Sequence, residues 1–166
     1  MATSVSEFRQ QYRREHIRGR YYGWLHLAFT RGVCLLAVIF SALQLEQVSA
    51  LEWITIPVVF LYANGVEYLG HRNPMHHPVA GLGFLFRRHT RQHHRFFTHE
   101  SMEYDSSDDF KAVLFPPFVV FFYLGGFGVP MWLVLHYLAS DNVAWLALAA
   151  GMAYYLNYEL LHFAYH

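Results

Sequence analysis

The residues of this chain best suited to chemistry are its histidines, and many of them stand at the spacings of metal ligands. There are 12, as many as lysine and arginine together. Three clusters hold most of the chemistry. The first is Glu67-Tyr-Leu-Gly-His71-Arg-Asn-Pro-Met-His76-His77. Glu67 and His71 are four apart and share a helical face. His71 and His76 are five apart, which on an unbroken helix points them in different directions. Pro74 offers a way out: the helix can end around Arg72, and a turn can bring His76 back. The second cluster is His89-Thr-Arg-Gln-His93-His94. His89 and His93 would share one helix face, with His94 turned about 100° away, toward a second metal. The third is Glu159-Leu-Leu-His162-Phe-Ala-Tyr-His166, which repeats the four-residue spacing.

Imidazole ligates iron, copper, nickel and zinc. A single structural zinc takes four ligands. Seven well-spaced histidines, His71, His76, His89, His93, His94, His162 and His166, exceed that number and point to two metals. His77 and His99 are weaker ligand candidates. Glu67 and Glu159 could accept the free ring N–H of a ligating histidine and so fix its tautomer. Asn64 and Asn157 could line a polar pocket beneath the metals, although interhelical hydrogen bonding is the commoner use of an amide in a span. His26 and His136, alone in apolar runs, read as hydrogen-bonded core residues, and His16 as part of a basic arm.

These clusters must be positioned by elements that look built for a bilayer. Charged residues make up 14% of the chain and aromatics 19%, whereas soluble domains carry about 25% charged residues. Residues 1–20 form a basic arm containing Arg9, Arg13, Arg14, Arg18 and Arg20, a short cytoplasmic helix suited to topogenesis and headgroup contact. It lacks the apolar core of a secretory signal. Residues 21–166 form the membrane domain. Apolar segments run from Tyr22 to Leu45, interrupted by His26 and Arg31, and from Leu51 to Gly70. The stretch His71–Lys111 is polar, holds seven of the histidines, and is marked cytoplasmic by Arg87, Arg88, Arg91 and Arg95. The acidic run Glu100–Asp109 reads as a solvated loop.

Ala112–Ser140 contains no Asp, Glu, Lys or Arg. With Pro116–Pro117 and the Gly125–Pro130 run, it is either one bent span or a re-entrant hairpin. Asn142–Phe163 is the last apolar segment. A single crossing by Ala112–Ser140 returns His162 and His166 to the side of the other histidines, so a shared metal site favours it. The fold expected is therefore all-α: an integral membrane bundle of about four transmembrane helices in two hairpins, with a histidine-rich cytoplasmic helical region.

Other classes fit less well. A net charge of zero gives no basis for a nucleic-acid partner. One cysteine, Cys34, excludes a disulfide framework and a cysteine metal site, and its apolar setting makes it a buried, inert thiol. A transporter would place its ionisable groups near mid-membrane, whereas these histidines gather at span ends and in a loop. A haem could be proposed between His26 and His136 but would leave the dense boxes unexplained.

In combination, the motifs resemble those of the fatty acid hydroxylase/sterol desaturase superfamily of integral-membrane oxygenases. The matching stretches are Glu67-Tyr-Leu-Gly-His71-Arg, the His-x-x-x-x-His of His71 and His76, the His-x-x-x-His-His of His89, His93 and His94, and Asn157-Tyr158-Glu159 leading into His162 and His166. They lie within about residues 51–166. The resemblance implies a cytoplasmic-side, non-haem centre of two iron ions held by the seven histidines. It implies O2 as co-substrate, a separate electron-transfer protein as donor, and a fatty acyl or sterol-like lipid as substrate. The reaction implied is hydroxylation of an aliphatic C–H bond, with desaturation as the alternative. Zinc could fill such a site but could not do that chemistry. The membrane would be the inner membrane of a bacterium or the endoplasmic reticulum of a eukaryote. The family pattern also has a further His-x-x-His-His type cluster downstream of the position matching His166. The resemblance therefore implies a chain cut short and lacking several ligands, with an inactive metal-binding membrane protein as the reading from a different class.

Overall fold

A computed structural model describes residues 4–17, 19 and 21–166. Arg18 and Arg20 of the basic arm lie outside the described residues. Among the described residues the chain is helical and forms no strand; one antiparallel bridge between Thr98 and Ser101 closes a tight turn. The chain divides into two compact units. One comprises the N-terminal segment to Leu27, Val66–Phe115 and His162–His166; the other comprises Ala28–Gly65 and Pro116–Leu161.

The first unit opens with α1, Val5–His16. Ser4 starts it with a capping box: its hydroxyl accepts the Glu7 N–H, and the Glu7 carboxylate accepts the Ser4 N–H. These reciprocal bonds satisfy backbone donors that a helix start otherwise leaves open. One face of α1 carries Phe8 and Tyr12 into a core with Phe96, Phe97, Ala112 and Val113. A second cluster of Leu27, Phe110 and Leu114 adjoins Tyr104 and Phe163, which also border the first. Gly23 starts α2, Gly23–Ala42. It meets the 107–110 stretch so closely that an added Cβ would run into the Ser107 carbonyl and the Phe110 ring.

Three sequence readings are revised here. The acidic run is not simply a solvated loop, because Asp109 is fully buried. Arg13 meets it in a two-point fork, Nε to Oδ1 and an amino nitrogen to Oδ2, both at 2.8 Å. The Asp105 amide donates to Asp109 as well, at 2.9 Å. Nor do Arg9 and Arg13 of the basic arm face outward toward headgroups. Arg9 is buried, and both arginines bind the loop that follows the second histidine cluster. Arg88 is likewise no mere topology marker: it donates to the Tyr12 hydroxyl and to the Lys111 and Leu114 carbonyls.

The second unit packs Cys34, Val120, Leu148, Met152 and Tyr155 into its core, with Cys34 buried as expected. Many of its large apolar side chains face outward, among them Leu36, Leu61, Phe122 and Leu138. Two helical runs are long and apolar enough to cross a membrane: Gly23–Ala42, of 20 residues, and Ser107–Leu138, of 32. The other two apolar segments are also helical. They form α3, Thr55–Gly70, and α9, Asp141–Ala164.

The Ser107–Leu138 run breaks once. After the short helix α6, Phe110–Val113, Leu114 is extended, and Pro117 caps the next start. From there α7 (Phe118–Tyr123), a π turn (Leu124–Gly128) and α8 (Val129–Leu138) follow without interruption. No hairpin forms at the glycine-rich stretch. Pro130 cannot donate to the carbonyl four residues back, and its ring crowds that carbonyl. A widened turn relieves both problems while the helix goes on.

Candidate metal centre

The same device recurs in the first histidine cluster. α3 does not stop near Arg72, as the sequence suggested, but passes into a π turn over His71–Met75 that contains Pro74. On a regular α-helix His71 and His76 would point about 140° apart. The widened turn accommodates the extra residue, and the two imidazoles come face to edge with centroids 4.6 Å apart. After the short helix α4, Gly83–Phe86, a second π turn covers Arg87–His93 and leads into α5, His94–Phe96. Here too residues five apart are brought together: the Nε2 atoms of His89 and His94 lie 3.1 Å apart. This corrects the α-helical expectation that His89 pairs with His93 while His94 serves a second metal. The Thr90 hydroxyl ties the second turn to the first by donating to the Met75 carbonyl at 2.7 Å.

Two groups result, each able to hold a metal ion. His71, His76, His89 and His94 form one; His93, His162 and His166 form the other. Within each group the available ligand atoms lie within 4.8 Å of one another. The groups are adjacent, since the His93 ring stands 5.4 Å from those of His89 and His94. All seven histidines of the sequence reading are in these groups.

Hydrogen bonding does not account for the first group. The Nε2 of His89 is 3.0 Å from the Nε2 of His71 as well as 3.1 Å from that of His94. One imidazole nitrogen carries either a proton or a lone pair, so it cannot serve both neighbours well. A cation shared by several lone pairs can. With metal–nitrogen bonds of about 2.0–2.1 Å, nitrogens at right angles stand about 2.9 Å apart and tetrahedral ones about 3.4 Å apart. The observed spacings fall in that range.

In the second group the backbone sets the tautomers. His93 Nδ1–H donates to the Ala112 carbonyl at 3.0 Å, and His166 Nδ1–H to the Met102 carbonyl at 3.0 Å. Each Nε2 is thereby left as a bare lone pair. His162 brings its own Nε2 to 3.1 Å from that of His93.

Burial favours the neutral form of His76, His89, His93, His94 and His166. It pushes His93 down to about 2 and His89 to about 3, with neighbouring histidines adding to the effect. His76, His94 and His166 are lowered as well, burial again being the main cause. Neutral imidazole is the form that binds a metal.

The remaining candidates lie outside both groups. His77 is exposed, with Nδ1 on the Arg72 carbonyl at 2.8 Å. His99 is 90% exposed at its side chain, beside Glu100. Glu67 is half-buried and makes no hydrogen bond among the described residues. Glu159 is buried and accepts the Tyr155 hydroxyl at 3.2 Å. Asn64 is exposed and turns back onto the Phe60 carbonyl of its own helix; Asn157 is also exposed. His26 is buried between the Tyr21 hydroxyl and the Phe115 carbonyl, in keeping with a core role. His136 stacks on Trp132 beside Asp141.

Sequence reasoning missed the groups that orient His93 and His166, which are main-chain carbonyls and carry no side-chain signature. It also missed Arg9 and Arg13 as internal residues. Their four-residue spacing, on a helix that also carries Phe8 and Tyr12, was the available signal. Compared with family models, curated proteins and solved structures, the chain has no match.

Proposed function

We propose that this chain is the metal-binding core of a membrane-embedded dimetal oxygenase that hydroxylates an aliphatic C–H bond of a lipid, in the manner of the fatty acid hydroxylase/sterol desaturase superfamily. The observation that carries the reading is the convergence of seven histidines into two adjacent groups, the ligand atoms of each lying within 4.8 Å of one another. A structural zinc site needs one such group; two side by side suit chemistry that distributes electrons over two ions.

In this reading His71, His76, His89 and His94 hold one iron, and His93, His162 and His166 hold the other. The irons, when bound, supply the activation of O2 and accept electrons from a separate donor protein. The chain's own residues favour the neutral form of His76, His89, His93, His94 and His166, fix the Nε2 lone pairs of His93 and His166 through the Ala112 and Met102 carbonyls, and bury His89 and His93 away from water.

Membrane residence rests on the two long apolar runs and on the outward apolar side chains of the second unit. The arrangement proposed is a four-span bundle in which α3 and α9 also cross, with the histidines on the cytoplasmic side beside Arg87 and Arg91. An acyl chain or sterol-like substrate would approach from the bilayer.

The test is made on the full chain in native membranes and in detergent. Metal analysis is expected to give about two metals per chain. Membranes supplied with iron, O2 and a reductant system are expected to accumulate hydroxylated lipid, detected by mass spectrometry, and His89→Ala and His93→Ala are expected to abolish it. Two bound metals without lipid oxidation would leave a metal-binding membrane protein in place of an oxygenase. An absence of metal would remove the reading altogether.

A further inference from the structure

Arg9 belongs to the arm that the sequence assigned to headgroups, yet it is only 5% exposed. Its Nε–H donates to the Phe96 carbonyl at 2.8 Å. One of its amino nitrogens donates to the Ser101 carbonyl at 2.7 Å and to the Glu103 carbonyl at 3.0 Å. The guanidinium also lies over the Phe96 ring, 4.8 Å from its centre. Ser101 and Glu103 flank Met102, whose carbonyl accepts the Nδ1–H of His166. The segment entering this stretch is closed by the paired Thr98–Ser101 backbone bonds. The Met102 carbonyl is therefore held from both sides by one planar cation. Arg13, one helical turn further on, anchors the same helix to Asp109 and Asp105.

We infer that Arg9 is a positioning residue for the second histidine group: by gripping the Ser101 and Glu103 carbonyls it fixes the Met102 carbonyl, which in turn aims His166 Nε2 at the site shared with His93 and His162. The inference rests on the metal-binding reading of that group. Among the described residues Arg9 makes no hydrogen bond to a histidine; besides this main-chain route, its charge acts on His166 through space. The first group does not use the 98–103 loop and meets Arg9 only at the Phe96 carbonyl, two residues past His94, so its affinity is expected to change little. A lysine keeps the charge but lacks the fork that reaches carbonyls on both sides of Met102.

The experiment is a Co(II) titration of the full chain in detergent, followed by visible absorption, for wild type, Arg9→Met, Arg9→Lys and His166→Ala. Loss of a partner behind a ligand costs about 10–100-fold in metal affinity. Wild type is expected to bind two equivalents. Arg9→Met should keep the first at wild-type affinity and weaken the second by about 10-fold or more, with the second site's absorption band altered as in His166→Ala. Arg9→Lys should fall between the two, and it carries the test if Arg9→Met does not fold. Two wild-type equivalents in both Arg9 variants would overturn the inference, as would equal weakening of both sites in Arg9→Lys, the mark of general packing. Failure of wild type to bind Co(II) would instead overturn the metal reading.

Discussion

The two histidine groups stand side by side in one unit but are assembled by different means. His71, His76, His89 and His94 come from one short stretch of chain, and two π turns aim them. His93 must find His162, 69 positions away, and His166 beyond it. Two backbone carbonyls and an arginine-anchored loop set that group's geometry. The comparison shows that a ligand set can be specified locally, by turn geometry, or globally, by tertiary packing. The two should fail under different insults.

The largest expected effect falls on the shared nitrogen of the first group. His89→Ala should remove one of two metal equivalents, with affinity lost by more than about 100-fold, since even an outer partner is worth 10–100-fold. Metal analysis after dialysis would check it, and loss of both equivalents would show that the groups do not load independently. His162→Ala should have the mirror effect: the second equivalent lost, the first retained.

Next in size is Asp109→Asn. It leaves the Arg13 fork facing a neutral amide, and breaking a buried pair costs about 3–5 kcal/mol. Arg13 is 31% exposed at its side chain, so water can partly take over and the lower end, about 3 kcal/mol, is expected. Denaturant unfolding in detergent would measure it. Among metal effects, the second equivalent should suffer more than the first.

Smaller again is Pro74→Ala. Restoring an N–H at 74 permits an ordinary α turn, which would swing His76 away from His71. About a 10-fold loss for the first metal alone is expected, read by competition with a chromogenic chelator. An unchanged affinity would show that Thr90 and the second π turn suffice to hold the pair. Least of all, His77→Ala and His99→Ala should leave both equivalents intact, and a lost equivalent in either would add that residue to a group from which the geometry leaves it out.

The helices and the histidine inventory were legible because they rest on composition and short-range spacing. Apolar runs predicted α2, α3 and α9, and proline marked the break around Pro116, whereas the glycine stretch at Gly125 stayed helical as a π turn. The partition of the histidines was less legible. An α-helical wheel pairs His89 with His93; the π turn pairs His89 with His94 instead, because one widened turn shifts every later side chain by most of a residue's rotation. The acidic run was read as a solvated loop and the basic arm as a headgroup contact, since neither can signal that the other will cover it. Arg13 and Asp109 are 96 positions apart.

What the linear chain determined was which donors exist and which helices carry them: imidazole-rich turns, apolar helices and a basic amphipathic start, all set by side-chain chemistry and short-range periodicity. Tertiary structure alone decided which imidazoles share a site, that main-chain carbonyls orient two of them, and that Arg9 and Asp109 belong inside. Those outcomes depend on atoms every residue possesses and on encounters between distant segments. Hydrogen-bond geometry and packing settle them only once the chain has closed on itself.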